Sequence, residues 1–471
     1  MRAAARVHRT AIAWSLVFTM VRTGGNLLVL PLMLHKLTPD ELGLWYVFLS
    51  LATASSLIDL GFYPTMTRVT AYIWAGAKEI HAVGVTPIRH ENGKPAEPNY
   101  QLLAQLVKTM RVYYRGAAVV LTLVLGLGGT IWILQKASPT HDLQMMLLAW
   151  FLFLLGVLIN TTNGMWHPLL AGINHIRLSQ QILVYGLLAN YVAILIGLLL
   201  GARLLAPVLG YLLMGIISQF VSRTRFRNAS RAKDYEATAA WSAKLLRTLW
   251  PTAWRTGVVT LGIYATVSFG TLICSLYLGL KATASYGLSL QLALAALGIA
   301  TAFVLVKIPL IAQLHAKGEV YLIGEMVFPR MRWFWGVYVG AAVVAIVFGE
   351  PVVRDLLHSK TPLLPTSLLI GLFVVIGLEG HHAIFRDIAV TAHQNPFAKP
   401  VLISAILIVG LNFLLVPRFG LWALILVPGT VQICFNNWWI VLVGLRSMGS
   451  SVSEYAQTLI GRGSTRIVNE V

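Results

Sequence analysis

Apolar residues run along this chain in blocks of about twenty, separated by short polar stretches. At about 1.5 Å rise per residue such blocks are long enough to cross the hydrocarbon core of a bilayer as helices. Twelve are predicted: Ala11–Leu34, Leu42–Phe62, Val112–Leu134, Leu143–Asn163, Gln181–Gly201, Leu204–Val221, Thr252–Leu278, Tyr286–Ile308, Trp333–Phe348, Pro365–Phe385, Val401–Pro417 and Leu421–Leu445. The first follows a basic start (Arg2, Arg6, Arg9). It is too long for a signal peptide and shows no small-residue cleavage site, so it reads as a helix.

Two polar segments interrupt the pattern. Gly84–Asn99 (GVTPIRHENGKPAEPN) is rich in proline and glycine and reads as a loop. After it Leu102, Leu103, Leu106, Val107 and Met110 recur at helical spacing, which predicts an amphipathic helix at the membrane interface before the third span. Arg223–Leu249 is the most basic stretch and reads as a tether. The expected organisation is a six-helix lobe over 1–222, a basic linker over 223–250 and a second six-helix lobe over 251–471.

Composition makes the membrane reading firm. Of 471 residues, 57% are hydrophobic and only 11% are charged, against ~25% charged in soluble domains. So few charges cannot cover a water-facing surface. Cys274 and Cys434 both lie in apolar runs and say nothing about redox compartment. The net charge of +19 would suggest nucleic acid in a soluble protein, but here most of it follows topology. With the N-terminus inside, segments on that side hold about four times as many Lys and Arg as those opposite. Both termini are therefore expected in the cytoplasm, and nucleic acid is not expected as a partner.

The halves echo each other. Gly43-Leu44 and Gly287-Leu288 each open a long span that ends near a proline, Pro64 or Pro309. A polar break follows the fourth span of each half (GINHIRLSQ from Gly172, TAHQNPFAKP from Thr391). An even number of spans per half makes these parallel repeats about an axis along the membrane normal. LTPDELGLWYVFLSLATASSLIDLGF resembles the N-terminal signature of polysaccharide and O-antigen flippases of the multidrug/oligosaccharidyl-lipid/polysaccharide (MOP) exporter superfamily, and TAHQNPFAKPVLISAILIVGLNFLLVPRFGLWA is similar to their eleventh-helix region. That resemblance implies an all-α fold of two pseudo-symmetric six-helix lobes around a cationic cavity, as in MATE-like transporters. It implies a bacterial plasma-membrane protein that moves an undecaprenyl-diphosphate-linked oligosaccharide outward. Its partners would be that anionic lipid-linked substrate, membrane lipid and the polysaccharide polymerase or chain-length machinery.

An ionisable group inside the bilayer costs at least ~2.5–3.5 kcal/mol, which makes each one a functional candidate. Arg22 lies about halfway along the first span, with Asn26 one turn later on the same face. The functional reading is a diphosphate head-group site, and the structural one a buried ion pair. Arg255 and Lys307 sit near span ends, where snorkelling competes with a place at a positive funnel. Asp59 ends the second span, and a local pair with Arg68 is expected to fix that helix end. In the tenth span Glu379, His382 and Arg386 share one helical face. A carboxylate beside an imidazole can load and release a proton, while a structural ion cluster is the competing reading. A single Glu-x-x-His is too little for a di-metal bundle, which needs several, so no metal is expected. Gly126–Gly129 lies inside a span and is a packing feature. No Walker motif and no nucleophile–base constellation is found, so no nucleotide cofactor and no enzyme activity are expected. Two alternatives stand beside the flippase: an organic-cation antiporter of the same fold, and a membrane polysaccharide polymerase.

Overall fold

The structure, a computed structural model, describes residues 2–81, 97–136, 142–231, 233–236, 239–392 and 396–461, with residues 2–12, 16, 233 and 236 as backbone only. The predicted Gly84–Asn99 loop lies, up to residue 96, outside the described residues. Every described element is helical. In lipid, a helix satisfies all its own backbone groups, so a polytopic chain of this composition has little other choice.

In chain order the helices are α1 (Arg2–Lys36), α2 (Pro39–Ser55), α3 (Phe62–Trp74), α4 (Tyr100–Leu121), α5 (Gly128–Lys136), α6 (Leu143–Asn163), α7 (Trp166–Gly172), α8 (Ile176–Leu199), α9 (Leu205–Ala229) and α10 (Lys233–Glu236). Then come α11 (Ala243–Val267), α12 (Phe269–Tyr277), α13 (Gly279–Leu305), α14 (Ile308–Lys317), α15 (Val320–Pro351), α16 (Thr366–Thr391), α17 (Ala398–Phe419), α18 (Leu421–Cys434), α19 (Asn436–Ser447) and α20 (Val452–Leu459). Ten helical stretches are long and apolar enough to cross a membrane, and two further pairs, α11 with α12 and α18 with α19, qualify as spans bent by 42°. Counting each bent pair once makes twelve, in the twelve places the hydropathy pattern marks. The helices overrun those marks, α4 by a dozen residues. Hydropathy records what lipid covers, whereas the backbone ladder continues into polar ends.

The chain divides into two compact units, one of Met1–Leu37 with Phe48–Thr260 and one of Thr38–Val47 with Leu261–Val471. The first unit thus runs on to Thr260, within α11. Arg223–Leu249, expected as a tether, groups with the first unit. Its Leu245 and Leu249, with Ala253 a turn further, form a buried stripe in that unit's core. A basic segment can thus still carry one apolar face.

In the first unit α8 packs between α1 and α9, α9 also meets α6, and α3 meets α7. Phe62, Met66 and Val69 of α3 join Leu103, Leu106, Val107 and Met110 of α4 and Trp166 of α7 in one buried cluster. The apolar face predicted to lie at the membrane interface is therefore covered by protein. Amphipathic spacing shows that a face is apolar but not what will cover it. Gly61, at φ +75°, and Gly257 lie where the start of α3 crosses α11, and a Cβ on Gly61 would stand 2.4 Å from the Ala253 carbonyl oxygen.

In the second unit α13 packs on α15 and α16, α16 on α18 and α19, and α17 on α18. Here the echoing glycines meet each other's segments. A Cβ on Gly43 would fall 2.1 Å from the carbonyl oxygen of Leu280, and one on Gly287 would fall 2.4 Å from the Tyr46 ring. The Tyr46 hydroxyl, freed to reach past Gly287, donates to Gln291 Oε1 at 2.7 Å. Small residues at both crossings let the backbones approach. The outer faces of both units remain apolar, for example Val192 and Ile196 on α8 and Val343, Val344 and Val347 on α15.

Candidate functional site

In the first unit, α1 carries Arg22 and Asn26 on the face that meets Tyr191 of α8. Gly25 makes this possible, since a Cβ there would lie 2.1 Å from the Tyr191 ring. The Tyr191 hydroxyl donates to the Arg22 carbonyl oxygen at 2.9 Å and approaches Asn26 Oδ1 at 3.3 Å. Arg22 and Asn26 are thus held by one tyrosine that sequence spacing could not identify. The Arg22 side chain is exposed, 6.0 Å from the Phe18 ring centroid, and no carboxylate pairs with it among the described residues. Arg255, in the same unit, is also exposed, with its guanidinium 6.0 Å from the Trp254 ring. Lys307 belongs to the second unit and is half-buried at the break between α13 and α14, where it is the N-cap of α14.

Asp59 has partners other than the expected one. Its Oδ1 accepts from the Tyr114 hydroxyl, and its Oδ2 accepts from the Tyr63 backbone N–H at 2.9 Å. Arg68 is exposed on α3, and no ion pair joins it to Asp59 among the described residues. The reason is local. The 3₁₀ turn Ser56–Asp59 and the left-handed Leu60 (φ 45°) and Gly61 turn the chain sharply between α2 and α3. That turn leaves the Tyr63 N–H, in the first turn of α3, facing Asp59, where a carboxylate is also favoured by the helix dipole.

Asp59 lines a cavity of about 450 Å³ inside the first unit. Gln219 of α9, Asn160 of α6 and His167 of α7 face the same space. Gln219 is only 7% exposed, yet its Oε1 has no hydrogen-bond partner. His167 is buried, with Nε2 3.0 Å from Ser222 Oγ. Because Ser222 donates its own proton to the Ser218 carbonyl at 2.6 Å, the imidazole N–H is the donor to Ser222. Tyr63, just beyond the second span, also borders the cavity. Burial and the Asp59 charge hold its phenol above the ordinary value, so it remains protonated.

In the second unit the structure brings Glu379 and His382 of α16 together, with Oε2 and Nε2 3.8 Å apart and side chains 12% and 6% exposed. His382 Nδ1 donates to Asn437 Oδ1 at 2.7 Å, which leaves Nε2 as the ring nitrogen facing Glu379. Gln432 links this pair to the two helix breaks. Its Nε2 donates to Thr266 Oγ1 at 3.1 Å and to Glu379 Oε2 at 3.4 Å, while its Oε1 accepts from Asn436 at 2.7 Å. Glu379 Oε1 and Asn436 Oδ1 are buried without a partner. Arg386 stands apart and pairs with Asp387 at 3.0 Å. Seven residues along a helix are about 10 Å of rise, so sharing a face with Glu379 does not bring the two groups into contact.

Two tertiary partnerships carried no sequence signal. His381 reaches the Tyr455 hydroxyl of α20 at 2.7 Å, and His315 joins Thr391 Oγ1 and the Ser447 carbonyl at 2.8 and 3.0 Å. His381 ties the interior of α16 to α20, His315 ties helix ends together, and their partners lie 74 or more residues away.

No family model matches the chain, and no curated protein matches it either. Solved structures do. An inward-facing multidrug resistance MATE family transporter of the MOP superfamily aligns over 93% of this chain and 98% of its own, at 12% identity and a TM-score of 0.63. The lipid II flippase MurJ, in its inward closed conformation, covers 95% and 90%, at 11% identity and a TM-score of 0.60. A MOP superfamily transporter from Pyrococcus furiosus, described by a reversed polarity of its binding pocket that suggests a different function, covers 95% and 96%, at 13% identity and a TM-score of 0.58. Identities this low establish the fold: this is a multi-pass membrane protein with the all-helical architecture of MOP superfamily transporters.

Proposed function

We propose that this protein is a flippase for a lipid-linked anionic oligosaccharide, of the undecaprenyl-diphosphate type, working outward across a bacterial plasma membrane with both termini in the cytoplasm. The observation that carries the reading is Arg22, an exposed guanidinium within a membrane span that has no carboxylate partner among the described residues. A cation left open at such a position is unfavourable by ~2.5–3.5 kcal/mol or more unless something anionic meets it. A diphosphate supplies that charge and accepts the forked hydrogen bonds a guanidinium offers. Asn26, held beside Arg22 by Tyr191, adds a neutral amide to the same face. Arg255, in the same unit, offers a second exposed guanidinium. In this reading Glu379 and His382 couple transport to a proton, since no nucleotide motif is present to drive it.

The test is translocation of an undecaprenyl-diphosphate oligosaccharide in proteoliposomes. Arg22→Ala is expected to lower the rate at least tenfold at equal protein content, and Arg22→Lys to retain part of it. Full activity in the Ala variant would overturn the reading. A second reading, export of an organic cation, is favoured by one observation: Asp59 lines the first unit's cavity, where no Lys or Arg does among the described residues. Under it Arg22→Ala leaves transport of tetraphenylphosphonium intact, whereas Asp59→Asn abolishes it.

A further inference from the structure

We infer that the cavity of the first unit is a saccharide subsite, which takes hydroxyl groups of the transported molecule and leaves its phosphates to basic residues elsewhere; this rests on the flippase reading above. The argument is a balance of donors and acceptors. Four hydroxyls on the wall have already given their protons to helix carbonyls: Ser55 to Ala52 at 2.7 Å, Ser56 to Thr53 at 2.6 Å, Thr256 to Thr252 at 3.4 Å and Thr260 to Thr256 at 3.1 Å. What they can still offer a ligand is lone pairs. Asn160 likewise spends an N–H on the Gly156 carbonyl at 3.0 Å. Gln219 brings an amide to the same wall, with its Oε1 buried and without a partner. Among the described residues no Lys or Arg lines the cavity. Against these acceptors and the Asp59 carboxylate the wall sets the Tyr63 hydroxyl but no cation, so it repels phosphate and suits a ligand that brings protons.

Sugars bring them in adjacent pairs. The cavity volume of about 450 Å³ falls within the usual ~300–1,000 Å³ of small-molecule sites. Tyr63 and Tyr211 add ring surface to its edge, against which the C–H face of a pyranose can rest. A simple cation is the less favoured occupant. The Asp59 charge is already shared between the Tyr114 hydroxyl and the Tyr63 N–H, which reduces its pull on an ammonium while leaving each oxygen a second lone pair for a hydroxyl.

Gln219→Leu separates the proposal from a structural role. Removing a buried, unpartnered amide should leave the melting temperature unchanged or raised, because no existing bond of its oxygen is lost. Binding would be measured in lipid nanodiscs with three probes: undecaprenyl diphosphate, the same lipid carrying one N-acetylhexosamine, and tetraphenylphosphonium. The expected result is tighter wild-type binding of the glycosylated lipid, and a loss of about three- to tenfold for that lipid alone in Gln219→Leu, the size of one ordinary hydrogen bond. Asp59→Asn, which keeps the shape of the wall, should show the same selective loss. Equal affinity for the two lipids in the wild type, or equal loss for both in the variants, overturns the subsite while leaving the flippase reading standing. Tetraphenylphosphonium binding that disappears in Asp59→Asn makes the cavity a cation site and overturns the subsite too. If neither lipid binds the wild type, the flippase reading falls and the subsite with it.

Discussion

Gly43 tests whether the echo between the halves has a structural meaning. The ideal Cβ of Gly43→Ala would stand 2.1 Å from the Leu280 carbonyl oxygen, 2.8 Å from its carbon and 3.2 Å from its Cα. A carbon–oxygen contact relaxes only beyond ~3.3 Å, so the two backbones must separate by about 1 Å. No flexible side chain is available to yield, since every clashing atom is main chain. Overpacking of this kind costs ~1–3 kcal/mol. Against it stands the gain from replacing glycine within a helix, up to ~1 kcal/mol. Gly340 of α15 supplies the reference, because a Cβ there meets nothing within 4 Å and the helix gain acts alone. The two alanine variants should therefore differ by ~1–3 kcal/mol, with Gly43→Ala the less stable. Midpoints of thermal unfolding in one detergent measure the difference, at about 2–4 °C per kcal/mol for domains of 150–250 residues. Gly43→Ala unfolding at or above the Gly340→Ala midpoint would refute the close approach, and with it the packing of α2 on α13.

Glu379→Gln keeps the shape of the carboxylate and removes its titration. If Glu379 and His382 couple transport to protons, the variant loses the pH-gradient dependence of flipping in vesicles yet still binds head group. An unaltered pH response, with a lower melting temperature, would assign the pair a structural role. The Gly84–Asn99 loop is expected in the cytoplasm, so a cysteine at Asn92 should resist a membrane-impermeant maleimide in intact cells and react after permeabilisation. Labelling from outside would reverse the whole topology.

Each candidate residue is legible singly in the sequence. Arg22 stood out because a guanidinium within an apolar span is expensive wherever it points. Glu379 and His382 stood out because one helical turn puts i and i+3 on one face, and the structure keeps them 3.8 Å apart. Asp59 was marked as a helix-end carboxylate, which it is. Its partner Tyr114 lies 55 residues away, farther than any local rule reaches. Gln219 drew no notice, since a lone glutamine in an apolar run has no spacing that distinguishes it.

The sequence by itself determined that the chain carries apolar runs long enough to cross a membrane, and where its twelve spans fall. Each of these depends on runs of side-chain character within about twenty residues, the length a bilayer imposes. Tertiary structure alone decided what each face meets. Protein rather than lipid covers Leu103, Leu106 and Met110, and the basic segment after α9 belongs to the first unit through Leu245 and Leu249. Four hydroxyl residues, Asp59 and Gln219 line one cavity. Lipid and protein interior are both apolar, so hydrophobicity cannot tell a residue which of the two will surround it. Only the packing of helices far apart in the chain makes that choice.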